Sequence, residues 1–303
     1  MATSVHRARH RHWQHGRGVF VRIKNITTLI QSLPFGTWAI PAFNVFNMEF
    51  AQAVVGAAQD ERSPVILMLG DPILSFCGVD MLIDICESVI AGATVPVCIA
   101  LDHGKTEAHL IRCVEREAAI MYDGSDHEFE ANMSETRRWL DIAHQHGLSL
   151  EAELGSFGAE FDDLASPESR MTTPEDCARF ISAVPVDLLA VGVGNYHGKY
   201  KGEPEIDVAR LREIAAAVPT TPLVLHGASG IPADTIHQCL DAGVKKVNFG
   251  YDLKFAFADA LRRELGRDPM PTQPPAFLAP ARDAVRQVAR DRIRDVSSNG
   301  LID

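Results

Sequence analysis

VPVCIALDHG, residues 95–104, is a short apolar run that closes on an acid, a histidine and a glycine. A run of this length with no polar alternation suits a strand covered on both faces, the usual situation in a parallel sheet. The same form recurs on either side of it. PAFN closes at Asn44, IMYDGS at Asp123 and Ser125, and EAELG carries Glu151 and Glu153. VGVGNYHG closes at Asn195 and His197, LVLHGAS at His226 and Ser229, and VNFGYD at Asn248 and Asp252. Strands are predicted over 38–45, 64–70, 95–102, 119–123, 149–154, 188–194, 222–226 and 246–249, eight in all.

Segments of helical period lie between these strands. TPEDCARFISAV predicts a helix with Thr173 as its cap and Pro174 at its first position, and its early acids favour the positive end of the helix. IDVARLREIAAAV places Val208, Leu211, Ile214 and Val218 at spacings of three and four, a stripe that can pack on a sheet. Eight such units predict an α/β fold, the TIM (β/α)8 barrel, in preference to an open doubly wound sheet. The turn after Val45, FNMEF, has no glycine-rich phosphate loop of the kind a dinucleotide-binding fold would carry. Beyond Phe255 the chain predicts helix, proline-rich connector (MPTQPP) and helix, a C-terminal helical extension that either completes the outer ring or meets another subunit.

A chain of 303 residues accommodates one such barrel with short extensions. Residues 1–20 carry His6, His10, His12, His15 and several arginines but no acid, a composition that builds no core, and are expected to form a flexible tail. Residues 21–303 are then one barrel domain. The net charge of -11 repels nucleic acid and anionic membranes, so an anionic substrate must be met by local positive charge, most simply a metal. No apolar stretch reaches membrane-spanning length. The six cysteines form no C-x-x-C pair and read as reduced, packed thiols. A soluble, cytoplasmic protein is expected.

In a parallel barrel the C-terminal strand ends share one rim, so the three strand-end histidines His103, His197 and His226 are predicted to converge. Three imidazoles with one open position suit a catalytic zinc. His109, His127, His144, His146 and His237 fall in predicted helices or loops and read as surface histidines.

PAFNVFN, SPVILMLG, LDHG, MYDGS, EAELG, NYHGKYK, LHGAS and VNFGYDLK resemble, in order, the motifs of the class II fructose- and tagatose-bisphosphate aldolases, from about Ala39 to Ala258. The resemblance implies reversible cleavage of a ketose 1,6-bisphosphate into dihydroxyacetone phosphate and an aldehyde phosphate. It implies one Zn2+ held by His103, His197 and His226, with Glu153 an alternate ligand or a partner of the ligands. Asp102 is implied as the acid/base on the C4 hydroxyl, or else only as the carboxylate that orients a histidine. Asn248 is implied to hold the enediolate oxygens, and Asn44 to organise the catalytic acid. Ser63, Gly198, Lys201, Gly227, Ser229 and Asp252 are assigned to the substrate and its phosphate. A monovalent cation and a homo-oligomer, dimer or tetramer, follow from resemblance alone.

Two departures stand out. Tyr251 occupies a position where the family usually has threonine, which puts a ring where a phosphate-binding hydroxyl is expected. The loop after ELG reads Gly158-Ala159-Glu160-Phe161-Asp162, with Phe161 at one expected acid position; Glu160 or Asp162 could move the proton if the loop shifts by one residue, and Glu160 is chosen. The alternatives are a zinc aldolase for a differently phosphorylated or unphosphorylated ketose, a non-catalytic sugar-phosphate-binding relative, a Schiff-base aldolase and a metal-dependent barrel hydrolase. None of the predicted strands ends in the lysine that a Schiff base needs, and PAFNVFN lacks the H-x-H common in hydrolases.

Overall fold

A computed structural model describes residues 22–155, 158–161, 164–165, 171–200 and 202–302, with 158–161 and 164–165 described by their backbone only. The N-terminal tail and Lys201 lie outside these residues.

All eight predicted strands form, at Ile40–Asn44, Val65–Gly70, Val97–Asp102, Ile120–Tyr122, Leu150–Leu154, Leu188–Val191, Leu223–Leu225 and Val244–Phe249. Each runs parallel to its neighbours, and the eighth pairs with the first through Lys246 opposite Ile40 and Asn248 opposite Ala42. The third and fourth strands are joined by backbone bonds from Ala119 N to Ile99 O, Leu101 N to Ala119 O and Gly104 N to Met121 O, so the sheet closes. A two-residue strand, Arg22–Ile23, pairs beside the third strand at its N-terminal end.

The predicted helices form because their ends are capped and one stripe is apolar. Thr173 accepts from Asp176 N at the start of Pro174–Ala183, and Asn47 accepts from Phe50 N at the start of Met48–Glu61. In Val208–Ala217, Leu211 and Ile214 are buried against the barrel. The last helix, Pro274–Asp295, begins at the final two prolines of the predicted connector, which suit a first turn whose amides have no partner within the helix. Arg286 pairs with Asp60, and Arg290 and Arg294 pair with Glu61, so this helix completes the outer ring beside Met48–Glu61. Among the described residues, no helix is long and apolar enough to cross a membrane.

The N-terminal end of the barrel is plugged by the helix Ile26–Ser32, whose Ile26 and Leu29 pack with Trp38 into the apolar interior. All six cysteines are free thiols, and five are buried.

Candidate active site

Three strand ends deliver His103, His197 and His226 to one point on the C-terminal rim, where one nitrogen from each ring lies within 4.8 Å of the others. The rings of His103 and His226 stand nearly perpendicular, 4.9 Å apart, with His226 Nδ1 3.1 Å from His103 Nε2. Zinc–nitrogen bonds of about 2.0–2.1 Å in a tetrahedral shell separate ligand nitrogens by roughly 3.4 Å, so this spacing fits one ion between the rings. His103 adopts a left-handed backbone with φ 49°, an uncommon conformation outside glycine that turns the chain sharply at the rim.

The outward nitrogens are held by carboxylates. His103 Nδ1 lies 2.9 Å from Asp123 Oδ2, and His226 Nε2 donates to Glu151 Oε1 at 2.7 Å. Pairing of this kind fixes which nitrogen of each ring faces a metal. Asp123 is itself steadied by Ser125 Oγ at 2.6 Å, and Glu151 Oε2 accepts from Lys246 Nζ at 2.7 Å. Glu153 Oε2 stands 3.3 Å from His103 Nδ1, off hydrogen-bond geometry, and has no hydrogen-bond partner among the described residues. His103, Asp123 and Glu153 therefore form a second donor group beside the first.

The electrostatics follow from burial and from these pairs. Burial opposes charge on His103, yet Asp102, Asp123 and Glu153 together raise its pKa well above the ordinary imidazole value. Burial and the neighbouring His103 and His226 lower His197 well below that value. Burial and the adjacent Asp123 push Glu153 up to about 7. Against burial, Lys246 and the His226 donor bring Glu151 down to about 2.

Asp102 is buried beside the histidines, and each of its oxygens meets an amide. Asn44 Nδ2 donates to Oδ2 at 2.7 Å, and Asn248 Nδ2 lies 3.4 Å from Oδ1. Burial alone would raise its pKa, but His103, His226, Lys246 and the Asn44 donor lower it, so the group is held as a carboxylate. Asn248 Nδ2 also lies 3.1 Å from His226 Nε2, whose proton goes to the closer, charged Glu151. Asn248 Oδ1 is buried with no hydrogen-bond partner among the described residues, a polar atom at the centre of the site that a ligand would satisfy.

Beside the histidines a cavity of about 290 Å³ is lined by Gly198, Tyr200, Ser229, Gly230, Tyr251 and Arg292, among others. Gly227, at φ 61°, passes so close to Tyr196 that an added Cβ would lie 2.3 Å from its carbonyl oxygen. Ser229 Oγ lies 3.3 Å from Gly250 N and 3.4 Å from Asp252 N, at the start of the helix Tyr251–Leu265. Small residues and a hydroxyl thus line this cavity beside a helix start, with the hydroxyl donating to Asp252 Oδ1 at 2.7 Å. Tyr251 stacks on Phe255 at 6.4 Å in the wall of this cavity, so the unexpected ring faces the expected phosphate position. Gly250 is constrained less rigidly, since an added Cβ would lie 2.4 Å from Asn44 Oδ1, a side-chain atom, and its φ of -142° is open to any residue.

Most of the predicted residues thus meet at one place, but not all. Ser63 does not: it precedes the second strand, at the opposite end of the barrel, and its buried hydroxyl donates to Pro64 O and meets Ser298 Oγ at 2.7 Å. A residue before a strand lies at the base and one after it lies at the rim, so Ser63 cannot reach the substrate. Asp252 lies at the cavity, but its oxygens are taken by Ser229 (2.7 Å) and Arg292 (2.6 Å), so it organises the wall and offers a phosphate no donor. Glu160 lies on the strand Gly158–Phe161, which pairs in parallel with Tyr196–His197, and its side chain is outside the described residues. His109, read as a surface residue, bonds through Nδ1 to Asp71 at the rim. Sequence reasoning left Asp123, Glu151, Lys246 and Arg292 without roles. The signal for Glu151 was present, since it stands two residues before Glu153 on one strand and so faces the same side.

The chain is similar to known proteins over most of its length. The family model for class-II fructose-bisphosphate aldolase matches residues 24–301. A fructose-bisphosphate aldolase of Geobacillus stearothermophilus is 34% identical over 271 residues, covering 88% of this chain and 93% of its own length. One from Thermus caldophilus is 35% identical over 289 residues, covering 87% and 94%. Among solved structures, the YdjI aldolase from Escherichia coli K12 superposes with a TM-score of 0.81 at 29% identity, covering 92% of this chain and 99% of that one. With a family model spanning nearly all of the barrel, the chain belongs to the class-II fructose-bisphosphate aldolase family, whose members are carbon–carbon lyases.

Proposed function

We propose that this chain cleaves a ketose 1,6-bisphosphate reversibly, giving dihydroxyacetone phosphate and an aldehyde phosphate, with one Zn2+ held by His103, His197 and His226. The observation that carries this reading is the convergence of three imidazoles, two of them backed by carboxylates, beside the buried carboxylate of Asp102. A zinc ion bound there supplies Lewis-acid stabilisation of negative charge developing on the substrate's oxygens.

The chain's own groups do the rest. Asp102, held by Asn44 and Asn248, takes the C4 hydroxyl proton as the C3–C4 bond breaks, and the bonding electrons move towards the ketose carbonyl. Asn248 Oδ1 accepts from a substrate hydroxyl and so orients the enediol fragment. Glu160, on the strand beside His197, delivers the proton to the carbon left behind. Gly198, Gly227 and Ser229 receive a phosphate, with Lys201 and a monovalent cation adding positive charge. Glu153 serves as an alternate ligand. A cytoplasmic homo-oligomer is the proposed working form.

The test is zinc content together with retro-aldol turnover. One zinc per chain and activity lost with EDTA and restored by zinc are expected, and His197→Ala with unchanged zinc and cleavage would sink the proposal. A second reading, a zinc aldolase for a ketose with a different phosphate pattern, draws on Tyr251 and Phe255 in the cavity wall. Equal turnover of a bisphosphate and its dephosphorylated ketose would favour it.

A further inference from the structure

Glu151 and Lys246 are charged, yet both lie inside the barrel, about 3% and 2% exposed. Barrel interiors are normally filled by Val, Ile and Leu, and most of this one is, with Ile40, Ile66, Met68, Leu188 and Val224 packed together. Strand alternation puts the two charges there: Glu151 shares a face with Glu153, and Lys246 with Asn248. Their ion pair at 2.7 Å does not need to exist for stability, because well-packed apolar residues of similar volume commonly hold a core as well or better.

The second oxygen of Glu151 gives the pair a use. It accepts from His226 Nε2 at 2.7 Å, which commits that nitrogen's proton and leaves Nδ1, 3.1 Å from His103 Nε2, with its lone pair facing the metal position. His226 is fully buried, so no water competes for its outward nitrogen. Lys246 holds the far oxygen of Glu151 and so fixes the carboxylate's rotation under the ring. We propose that Lys246 is a positioning residue that acts through Glu151 to hold His226 as an Nδ1 metal ligand. This rests on the three-histidine zinc reading above. In Glu151→Gln the side-chain oxygen turns to Lys246 and the amide donates to His226 Nε2, which moves the ring proton onto Nδ1 and blocks the ligand.

The test is zinc affinity by chelator competition, with thermal unfolding alongside, for wild type, Glu151→Gln, Lys246→Met and the double variant Glu151→Leu/Lys246→Met. Each single variant is expected to bind zinc about 10–100-fold more weakly, the usual effect of removing a partner of a metal ligand. The double variant is expected to unfold near the wild-type temperature, since no unpaired charge remains, yet to keep the weakened affinity. A scaffold role predicts the reverse, with affinity returning as stability returns. Wild-type affinity in Lys246→Met or in the double variant overturns the proposal. The underlying reading is checked separately by His197→Ala: undiminished zinc binding there overturns that reading and the proposal with it, whereas weakened binding there beside wild-type affinity in Lys246→Met overturns the proposal alone.

Discussion

Ser229 and Ser63 stand at opposite ends of one barrel, and the two ends treat polar groups differently. At the base, Ser63 spends its hydroxyl on Pro64 and Ser298 in full burial, and Trp38 donates to Pro34 O under the ammonium of Lys245. At the rim, Asn248 keeps a buried oxygen without a partner among the described residues, Glu153 sits against another carboxylate, and His103 takes a strained backbone. The base has two such atoms of its own, Arg22 Nε and Thr27 Oγ1, but they stand apart from any group of metal-ligating side chains, whereas Asn248 Oδ1 and Glu153 Oε2 both border the three histidines. Unsatisfied polar atoms that border one cluster of potential ligands mark where a ligand finishes the structure.

The strongest way to sharpen this contrast is to remove the proton acceptor. Asp102→Asn should lower kcat by about 10²–10⁴-fold, the usual range for a general base, with zinc content and unfolding temperature nearly unchanged. A fall in zinc content in step with activity would instead make Asp102 an orienting group for a histidine. The base should answer in the other currency: Trp38→Ala is expected to cost about 3–5 kcal/mol in denaturant unfolding while turnover per folded molecule holds. Smaller is the effect of Tyr251→Thr, which removes a ring from the cavity wall and adds a hydroxyl there. The preference in kcat/KM for a phosphorylated over an unphosphorylated ketose should rise about tenfold, one charge-assisted hydrogen bond's worth. An unchanged preference would move the phosphate elsewhere.

The smallest expected difference is in acid. Against burial, His109 and the amides of Thr106 and Lys105 hold Asp71 below the usual carboxylate range, and Glu151 is brought to about 2. Depressed values contribute stability that is complete above the unfolded carboxylate range near pH 4 and lost as pH falls through the folded values. Hydrogen exchange at pH 3 should therefore rise at the rim, around Lys105 and Thr106, before it rises at Ile26 and Leu29. Simultaneous loss at both ends would remove the distinction.

How much of this the sequence disclosed depended on what each residue's role required. The eight strands and three histidines were legible because an apolar run and its closing residue are local features, and the barrel's topology does the gathering. Ser63 was misplaced because serine beside a strand means opposite things before and after it, and Pro64 already opens the strand. Glu151 and Lys246 went unread because their meaning lies in which face of a strand they occupy and in a partner 95 residues away. Asp252 was legible as a rim residue, but its pairing with Arg292 depends on where the last helix docks.

Gly250 also restricts the order in which this rim can change. Any larger side chain there would press on Asn44, and Asn44 steadies Asp102, so enlargement must follow a change at Asn44 that first disturbs the acid. Position 251 carries no such debt to the catalytic carboxylate and is the easier place for a lineage to shift its sugar preference.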